Sequence, residues 1–250
     1  MTLAAYNFFF QHIKSIGAED LLNRCGSVLI GTDEKEKKKS EDALASGYLN
    51  LSTFSKNSYG HIFLKTTGVI SPTDLCKRRL EKSKNIKVFL NTKIKSIKKD
   101  AGFWTLETSE NILKEKYEIV IFANSFHSTE ISELDFLPIR KVRGQLLSVP
   151  ENVLTKVPDE TLSFDGYLTP SLNGKCTLGA TYGNGVTTEV PLESESIDLL
   201  NRLELVQKNS FKEKDQKALL KSVTPRVSFR AMSPDVRPMV GPVPRKDFFI

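Results

Sequence analysis

The chain has 250 residues, a formal net charge of +6 and a pI near 9.1. It contains no apolar run of 18 residues and no N-terminal signal pattern, which excludes a transmembrane helix and indicates a chain that is not secreted. The 3 cysteines are isolated and odd in number, so we expect no disulfide framework, no structural zinc and a reducing, cytoplasmic setting. The basic charge is compatible with a polyanionic partner but does not by itself identify one.

The first part of the chain predicts two helices separated by a strand. Residues 3–16 place apolar side chains at helical spacing, and Gly17 is suited to end that helix. Residues 26–31 read as a short buried strand. Residues 33–42 are almost all charged, which favours a solvated helix surface, with a functional basic patch as the alternative.

A third helix is predicted by a strong start signal. Ser71 is suited to cap the helix, and Pro72 fits its first position, so the helix is predicted over 72–82. Its inward face is predicted to consist of Leu75, Cys76 and Leu80.

Four strands are predicted between this helix and the middle of the chain. The runs 86–90, 92–98 and 103–108 are short and rich in β-forming residues. Residues 117–123 form a near-continuous apolar run, which is typical of a strand covered on both faces.

Residues 127–225 predict an antiparallel sheet with a helix. Asn173-Gly174 is a strong hairpin signal, and residues 193–208 carry apolar side chains at helical spacing. The strand-like runs are 139–149, 166–170 and 178–182.

Residues 226–231 alternate in the manner of a strand with one buried face, which places Arg226, Ser228 and Arg230 together. Guanidinium groups on one strand face are either solvated or arranged to hold a carboxylate or phosphate. A Pro-x-x-Gly-Pro run follows at 238–242. By themselves these features are as consistent with an ordinary edge strand followed by a proline-rich turn as with a binding segment.

An arginine in a strand, a turn with Asp235 and then the Pro-x-x-Gly-Pro run resemble the FAD-dependent amine oxidases of the D-amino-acid, glycine and sarcosine oxidase type. The resemblance implies that FAD is the cofactor and that Arg230 grips a substrate carboxylate. Tyr167, Tyr182 and Gln145 are candidates to line the same site, and each tyrosine is equally interpretable as a packing residue. The implied cofactor-binding residues are Ile94, Ala123, Asn124, Ser125, Met239, Gly241 and Pro242.

Two of these cofactor assignments have an alternative. Ile94 is equally well interpreted as an ordinary core residue of its strand. Ser125 stands where the family has glycine in the Ala-x-Gly sequence that ends its strand.

Six ordered motifs narrow the resemblance to the FAD-dependent oxidoreductase half of the bifunctional family that makes 5-methylaminomethyl-2-thiouridine in tRNA. That resemblance implies removal of the carboxymethyl group from carboxymethylaminomethyl-uridine at the wobble position. It also implies tRNA as a partner, together with a methyltransferase half that is fused or separate. The motifs lie at 25–35, 68–76, 143–150, 165–170, 179–182 and 226–244.

The same resemblance implies an α/β (α+β) fold with FAD-domain βαβ pieces and an antiparallel-sheet substrate domain. No G-x-G-x-x-G loop follows a first strand, so we expect the chain to lack the family's N-terminal phosphate-binding unit and its last element. The expected division is a linking helix at 1–24, substrate-domain segments at 25–62 and 127–232, and FAD-domain segments at 63–126 and 233–250.

Three hypotheses follow. The first is a fragment of a tRNA-modifying FAD oxidoreductase, whose activity belongs to the intact protein. The second is a small-molecule oxidase of the glycine or sarcosine type. The third is a non-catalytic remnant that binds RNA through its basic surface.

Overall fold

The computed structural model describes residues 2–46, 54–56, 61–108 and 112–243. The chain divides into two compact units. The first comprises 1–86, 145–181 and 188–227, and the second comprises 87–144, 182–187 and 228–250. These bounds differ from the expected division, and the assignment of cofactor and substrate roles to segments stays a prediction.

Both helices and sheets are present, as the α/β (α+β) prediction requires. The α-helices of the described residues are α1 (Thr2–Ser15), α2 (Glu34–Ala45), α3 (Pro72–Lys82), α4 (Glu193–Val206) and α5 (Gln216–Ser222). Short 3-10 helices lie at Glu19–Leu21, Ser125–Glu130, Ser132–Leu134 and Glu151–Val153. The strands are β1 (Leu22–Asn23), β2 (Ser27–Leu29), β3 (Phe54–Lys56), β4 (Ile62–Leu64), β5 (Val69–Ile70), β6 (Ile94–Asp100), β7 (Phe103–Thr108), β8 (Ile112–Tyr117), β9 (Arg140–Pro150), β10 (Thr161–Phe164), β11 (Gly166–Leu168), β12 (Lys175–Gly179) and β13 (Thr224–Met232).

Among the described residues, the largest sheet has the order β13-β9-β12-β11-β10-β2-β4-β3. β9, β12, β11 and β10 pair antiparallel with their neighbours, whereas β10 and β2 pair parallel. The first unit also contains the pair β1-β5, and the second unit contains the antiparallel sheet β6-β7-β8. The main apolar core lies in the first unit, where α4 and α5 cover the sheet with Leu199, Leu203 and Leu219.

Local signals explain where the helices begin and end. Ser71 Oγ accepts a hydrogen bond from the Asp74 amide at the start of α3, and Asp33 and Asp215 cap α2 and α5 in the same way. Gly17 follows α1 with φ +60°, a conformation that glycine adopts without steric cost. The predicted helices at 3–16, 72–82 and 193–208 are therefore confirmed within one or two residues.

The predicted inward face of α3 is wrong. Cys76 is exposed and Leu80 is 47% exposed, whereas Leu75 is half-buried. The covered stripe of the helix runs instead through Ser71, Leu75 and Arg78, and Arg78 pairs with Asp20 beside α1. The ion pair therefore lies on the covered side of the helix, next to Leu75.

The predicted strands at 86–90 and 117–123 are also wrong. Residues 86–90 form no strand, and beyond Tyr117 the second run has irregular backbone. Leu90 is 79% exposed, Ile119 75% and Ile121 83%. An apolar run becomes a buried strand only when neighbouring strands pair with its backbone. Apart from Tyr117, which ends β8 and pairs with Trp104, neither run forms a ladder with other described residues.

In the described residues, no helix combines the length and the hydropathy that crossing a membrane requires.

Candidate functional site

The second unit contains a cavity of about 660 Å³ beside the start of β6 and residues 120–124. Its walls are largely apolar, and charged side chains also line it. The apolar lining includes Ile94, Ile97, Leu106, Ile121 and Ile131, and the polar lining includes Lys93, Lys95, His127 and Glu130. The volume lies within the range of small-molecule and cofactor pockets.

Three of the predicted cofactor residues, Ile94, Ala123 and Asn124, line this cavity. Ile94 begins β6, where the paired strand β7 holds its backbone opposite Thr108. The Asn124 side-chain oxygen accepts a hydrogen bond from Ser128 Oγ at 2.7 Å, which connects the cavity wall to the following 3-10 helix.

The other predicted cofactor residues do not line it. Ser125 starts the 3-10 helix with φ +56°, the left-handed conformation that the family's glycine would adopt more easily. Met239 is 47% exposed, and Gly241 has open space around the position of an added Cβ. Pro242 belongs to the same exposed segment.

Charged groups on the cavity rim interact with one carboxylate. Glu130 lies 2.7 Å from His127 Nδ1, 3.3 Å from Lys93 Nζ and 3.6 Å from Lys141 Nζ. The contacts with His127 and then Lys93 lower the pKa of Glu130 below its usual value, so this carboxylate is ionised at neutral pH. Two lysine ammonium groups and the imidazole of His127 therefore surround one carboxylate at the rim.

These residues fit part of the predicted cofactor. The apolar walls suit an adenine ring, and the lysine ammonium groups suit phosphate oxygens. A glycine-rich loop at a helix N-terminus, which holds a pyrophosphate in dinucleotide-binding folds, is absent from the described residues. The lining is chemically compatible with the nucleotide end of FAD, and its role as the cofactor site stays a prediction.

A second cluster in the same unit surrounds Arg230 on β13. Its guanidinium carbon lies 4.2 Å from the centre of the Tyr182 ring, and Nη1 donates a long hydrogen bond of 3.5 Å to the Arg143 carbonyl. The side chain is half-buried, whereas Arg226, earlier on the same strand, is exposed. Arg226 and Arg230 both lie on β13, as the alternation predicts, but their surroundings differ. The structure does bring Arg230 and Tyr182 together.

Gln145 lies in the first unit and is fully buried. Its Oε1 accepts a hydrogen bond from the Leu192 amide, and its Nε2 donates to the Leu192 carbonyl and to Ser196 Oγ, each at 2.8 Å. Every one of these polar contacts is with the N-terminal end of α4. These contacts support a structural role for the side chain, and its predicted flavin-side role stays a prediction.

Tyr167 also lies in the first unit. Tyr167 on β11 pairs with Gly179 on β12. A Cβ added at Gly179 would lie 2.9 Å from the Tyr167 hydroxyl oxygen. The ring therefore packs over Gly179 and leaves no room for a side chain at that position.

Two residues beside Arg230 were missed as site residues. Arg143 is fully buried, and a Cβ added at Gly144 would lie 2.4 Å from Arg230 Nη1. The available signal was the motif that begins with Arg143-Gly144, because a glycine inside a strand often marks the close approach of another group. No group of three metal-binding side chains occurs in the part of the chain that the structure describes.

Sequence comparison gives two results. The family model described as FAD dependent oxidoreductase (DAO) matches residues 1–250. The tRNA 5-methylaminomethyl-2-thiouridine biosynthesis bifunctional protein MnmC of Methylobacillus flagellatus is 25% identical over 257 residues, covering 97% of this chain and 39% of the relative. The protein of the same name from Shewanella pealeana is 26% identical over 264 residues, covering 97% of this chain and 40% of the relative. The chain thus spans about two fifths of the length of these relatives.

Solved structures show the same fold at low sequence identity. Glycine oxidase from Geobacillus kaustophilus superposes with a TM-score of 0.69 and 16% identity, covering 94% of this chain and 69% of that one. L-proline dehydrogenase from P. horikoshii superposes with a TM-score of 0.67 and 13% identity, covering 95% of this chain and 68% of that one.

Proposed function

Because the chain belongs to the FAD-dependent oxidoreductase (DAO) family, we propose that it supplies the amine-oxidising activity of a tRNA-modifying protein. The proposed reaction removes the carboxymethyl group from carboxymethylaminomethyl-(2-thio)uridine at the wobble position of tRNA. Support for this substrate comes from the curated relatives, which are named for biosynthesis of the 5-methylaminomethyl-2-thiouridine base.

The observation that carries the proposal is the position of Arg230. A half-buried guanidinium, stacked on Tyr182, presents a planar pair of donors that matches a carboxylate. The proposed substrate arm ends in a carboxylate, so the arginine would bind it and orient the adjacent methylene group. Orientation of the reacting bond is the main contribution that a protein makes to cofactor chemistry.

The proposed reaction balances as follows. The secondary amine, water and oxidised FAD give the primary aminomethyl base, glyoxylate and reduced FAD. FAD, when bound, supplies the acceptor for the hydride that leaves the methylene carbon. The bond between nitrogen and that carbon breaks on hydrolysis of the imine, and the nitrogen stays with the tRNA.

The remaining predicted residues enter this proposal as contacts. Ile94, Ala123 and Asn124 would hold the nucleotide end of FAD in the cavity of the second unit. Ser125, Met239, Gly241 and Pro242 remain proposed flavin-side residues, and Tyr167 a proposed substrate-side residue. A methyltransferase, fused or separate, would act on the exposed amine, and the location would be cytoplasmic.

The test begins with the purified chain, incubated with FAD and freed of unbound cofactor. A bound-flavin absorption spectrum would show that this chain holds the cofactor without the phosphate-binding unit that it is expected to lack. The flavin-loaded chain is then incubated with tRNA that carries carboxymethylaminomethyl-uridine, and the nucleosides are analysed by mass spectrometry. Arg230→Met is expected to abolish conversion, whereas the matched Arg226→Met, on the exposed part of the same strand, is expected to retain it.

Different outcomes separate the alternatives. Oxidation of free N-methylglycine but not of the modified tRNA would assign a small-molecule oxidase. Salt-sensitive tRNA binding by a folded chain that takes up no flavin would assign an RNA-binding remnant. Equal activity of the Arg230→Met and Arg226→Met variants would refute the role of Arg230.

A further inference from the structure

The guanidinium of Arg230 rests against three groups of its own unit: the Tyr182 ring, the Arg143 carbonyl and the backbone of Gly144. We call these three groups the guanidinium cradle. A Cβ added at Gly144 would lie 2.4 Å from Arg230 Nη1 and 2.8 Å from both Cζ and Nη2. Real Cβ atoms do not approach other heavy atoms so closely, so any larger residue at 144 must displace the guanidinium.

Gly144 is not required for an unusual backbone conformation. Its φ lies outside the left-handed region, and it sits inside strand β9, where an alanine adopts the same conformation. All three nearest atoms belong to the end of the flexible Arg230 side chain. Replacement by alanine therefore moves the guanidinium without straining the strand.

Tyr182 acts on the same group from another element. Its ring is 66% exposed, so little packing energy explains a large aromatic residue there. The ring instead provides a face on which the guanidinium stacks. A planar arginine that touches both a ring and a backbone wall loses rotational freedom before any ligand binds, which favours two-point binding.

From this geometry we infer that Gly144 and Tyr182 are positioning residues that set the orientation of the Arg230 guanidinium for two-point binding of a carboxylate. The inference rests on the proposed function of Arg230 as the carboxylate-binding residue. It adds that selectivity for carboxylate-terminated amines depends on the absence of a side chain at position 144.

The test measures the guanidinium directly by NMR of the ¹⁵N-labelled chain, so that no flavin or turnover is needed. The Arg230 Nε–Hε resonance is assigned by its loss in Arg230→Lys. Because aromatic ring currents shift protons stacked on a ring, this resonance is expected to move in Gly144→Ala and in Tyr182→Leu. Acetate then serves as the carboxylate probe, and about tenfold weaker binding is expected in Gly144→Ala.

Two further variants distinguish a specific effect on the Arg230 guanidinium from a general disturbance of the fold. Gly183→Ala is the matched control, because a Cβ there meets Arg143 Cβ and Val186 at 3.3–3.5 Å and none of its three nearest atoms belongs to Arg230. It is expected to leave the resonance and the acetate affinity unchanged. In an Arg230→Lys background the Gly144→Ala change is expected to have no further effect, since the clashing guanidinium is gone.

An unmoved Arg230 resonance in Gly144→Ala would overturn the inference, as would an equal loss of acetate affinity from Gly144→Ala in the lysine background. Failure of the wild-type chain to bind acetate through Arg230 would refute the carboxylate role in the proposed function instead. Whether alanine at position 144 displaces the Arg230 guanidinium would still be decided by the position of the Arg230 resonance in the absence of acetate.

Discussion

Replacement of Gln145 by alanine tests whether this buried amide holds the first unit together. The side chain makes three hydrogen bonds of 2.8 Å, one from the Leu192 amide, one to the Leu192 carbonyl and one to Ser196 Oγ. It therefore connects the centre of β9 to the residue that precedes α4. Alanine removes all three bonds and leaves the Leu192 amide without its side-chain acceptor.

The cost can be worked from these contacts. Each intramolecular hydrogen bond contributes about 1 kcal/mol net, so the three bonds together contribute about 3 kcal/mol. The Leu192 carbonyl keeps the backbone hydrogen bond from the Ser196 amide, which limits the loss on that side. For a chain of this size a 3 kcal/mol loss corresponds to a melting temperature lower by about 6–12 °C.

Urea unfolding followed by far-ultraviolet circular dichroism is the appropriate assay, because all five described α-helices belong to the first unit. Fluorescence of Trp104, which lies in the second unit, is recorded in parallel. The matched control is Gln216→Ala, at the exposed first position of α5, with an expected change within about 0.5 kcal/mol. A loss below about 1 kcal/mol for Gln145→Ala would refute the structural role assigned to this residue.

Three further predictions concern the cysteines and the exposed apolar run. Burial, and then the charge of Glu151, raises the pKa of the Cys176 thiol from 9.0 to about 11. At pH 8 the exposed Cys76 is therefore expected to react with iodoacetamide far faster than the buried Cys176. Equal reaction rates would contradict the burial of Cys176. Since the folded pKa is the higher one, this thiol's contribution to stability is complete below pH 9 and is lost towards pH 11, by at most about 1.4 kcal/mol per pH unit. Cys176→Ala should flatten that part of the stability–pH curve, and an unchanged slope would argue against the shift. Ile119→Thr with Ile121→Thr is expected to change stability by less than about 0.5 kcal/mol and to lower binding of a hydrophobic dye, whereas a loss above about 1 kcal/mol would show that these side chains are buried in solution.

Local signals in the sequence were sufficient for much of the fold. The cap at Ser71, the glycine after α1 and the hairpin residues Asn173-Gly174 act within a few residues of one another. Asn173 and Gly174 have φ +53° and +78°, as the hairpin signal predicts. Such features depend on backbone geometry that the nearby residues themselves dictate, so the predicted helices and hairpin were confirmed.

The site was predictable only in part. The alternation of residues 226–231 located Arg230 on a strand, and the family resemblance suggested its role and the cofactor. Periodicity placed Arg226 and Arg230 on one strand face but could not show that Tyr182, far away in the sequence, lies against Arg230. The contribution of Gly144 likewise depends on how closely β13 approaches it, which no spacing along the chain records.

The sequence by itself determined the α/β class, the helix ends, the hairpin and the family, because these follow from local chemistry and ordered motifs. Only the tertiary structure decided that residues 118–123 are unpaired, with Ile119 and Ile121 exposed, and that Gln145 bonds to the start of α4. Burial and strand pairing are properties of contacts between distant segments. An apolar or polar side chain therefore acquires its role only when those contacts form.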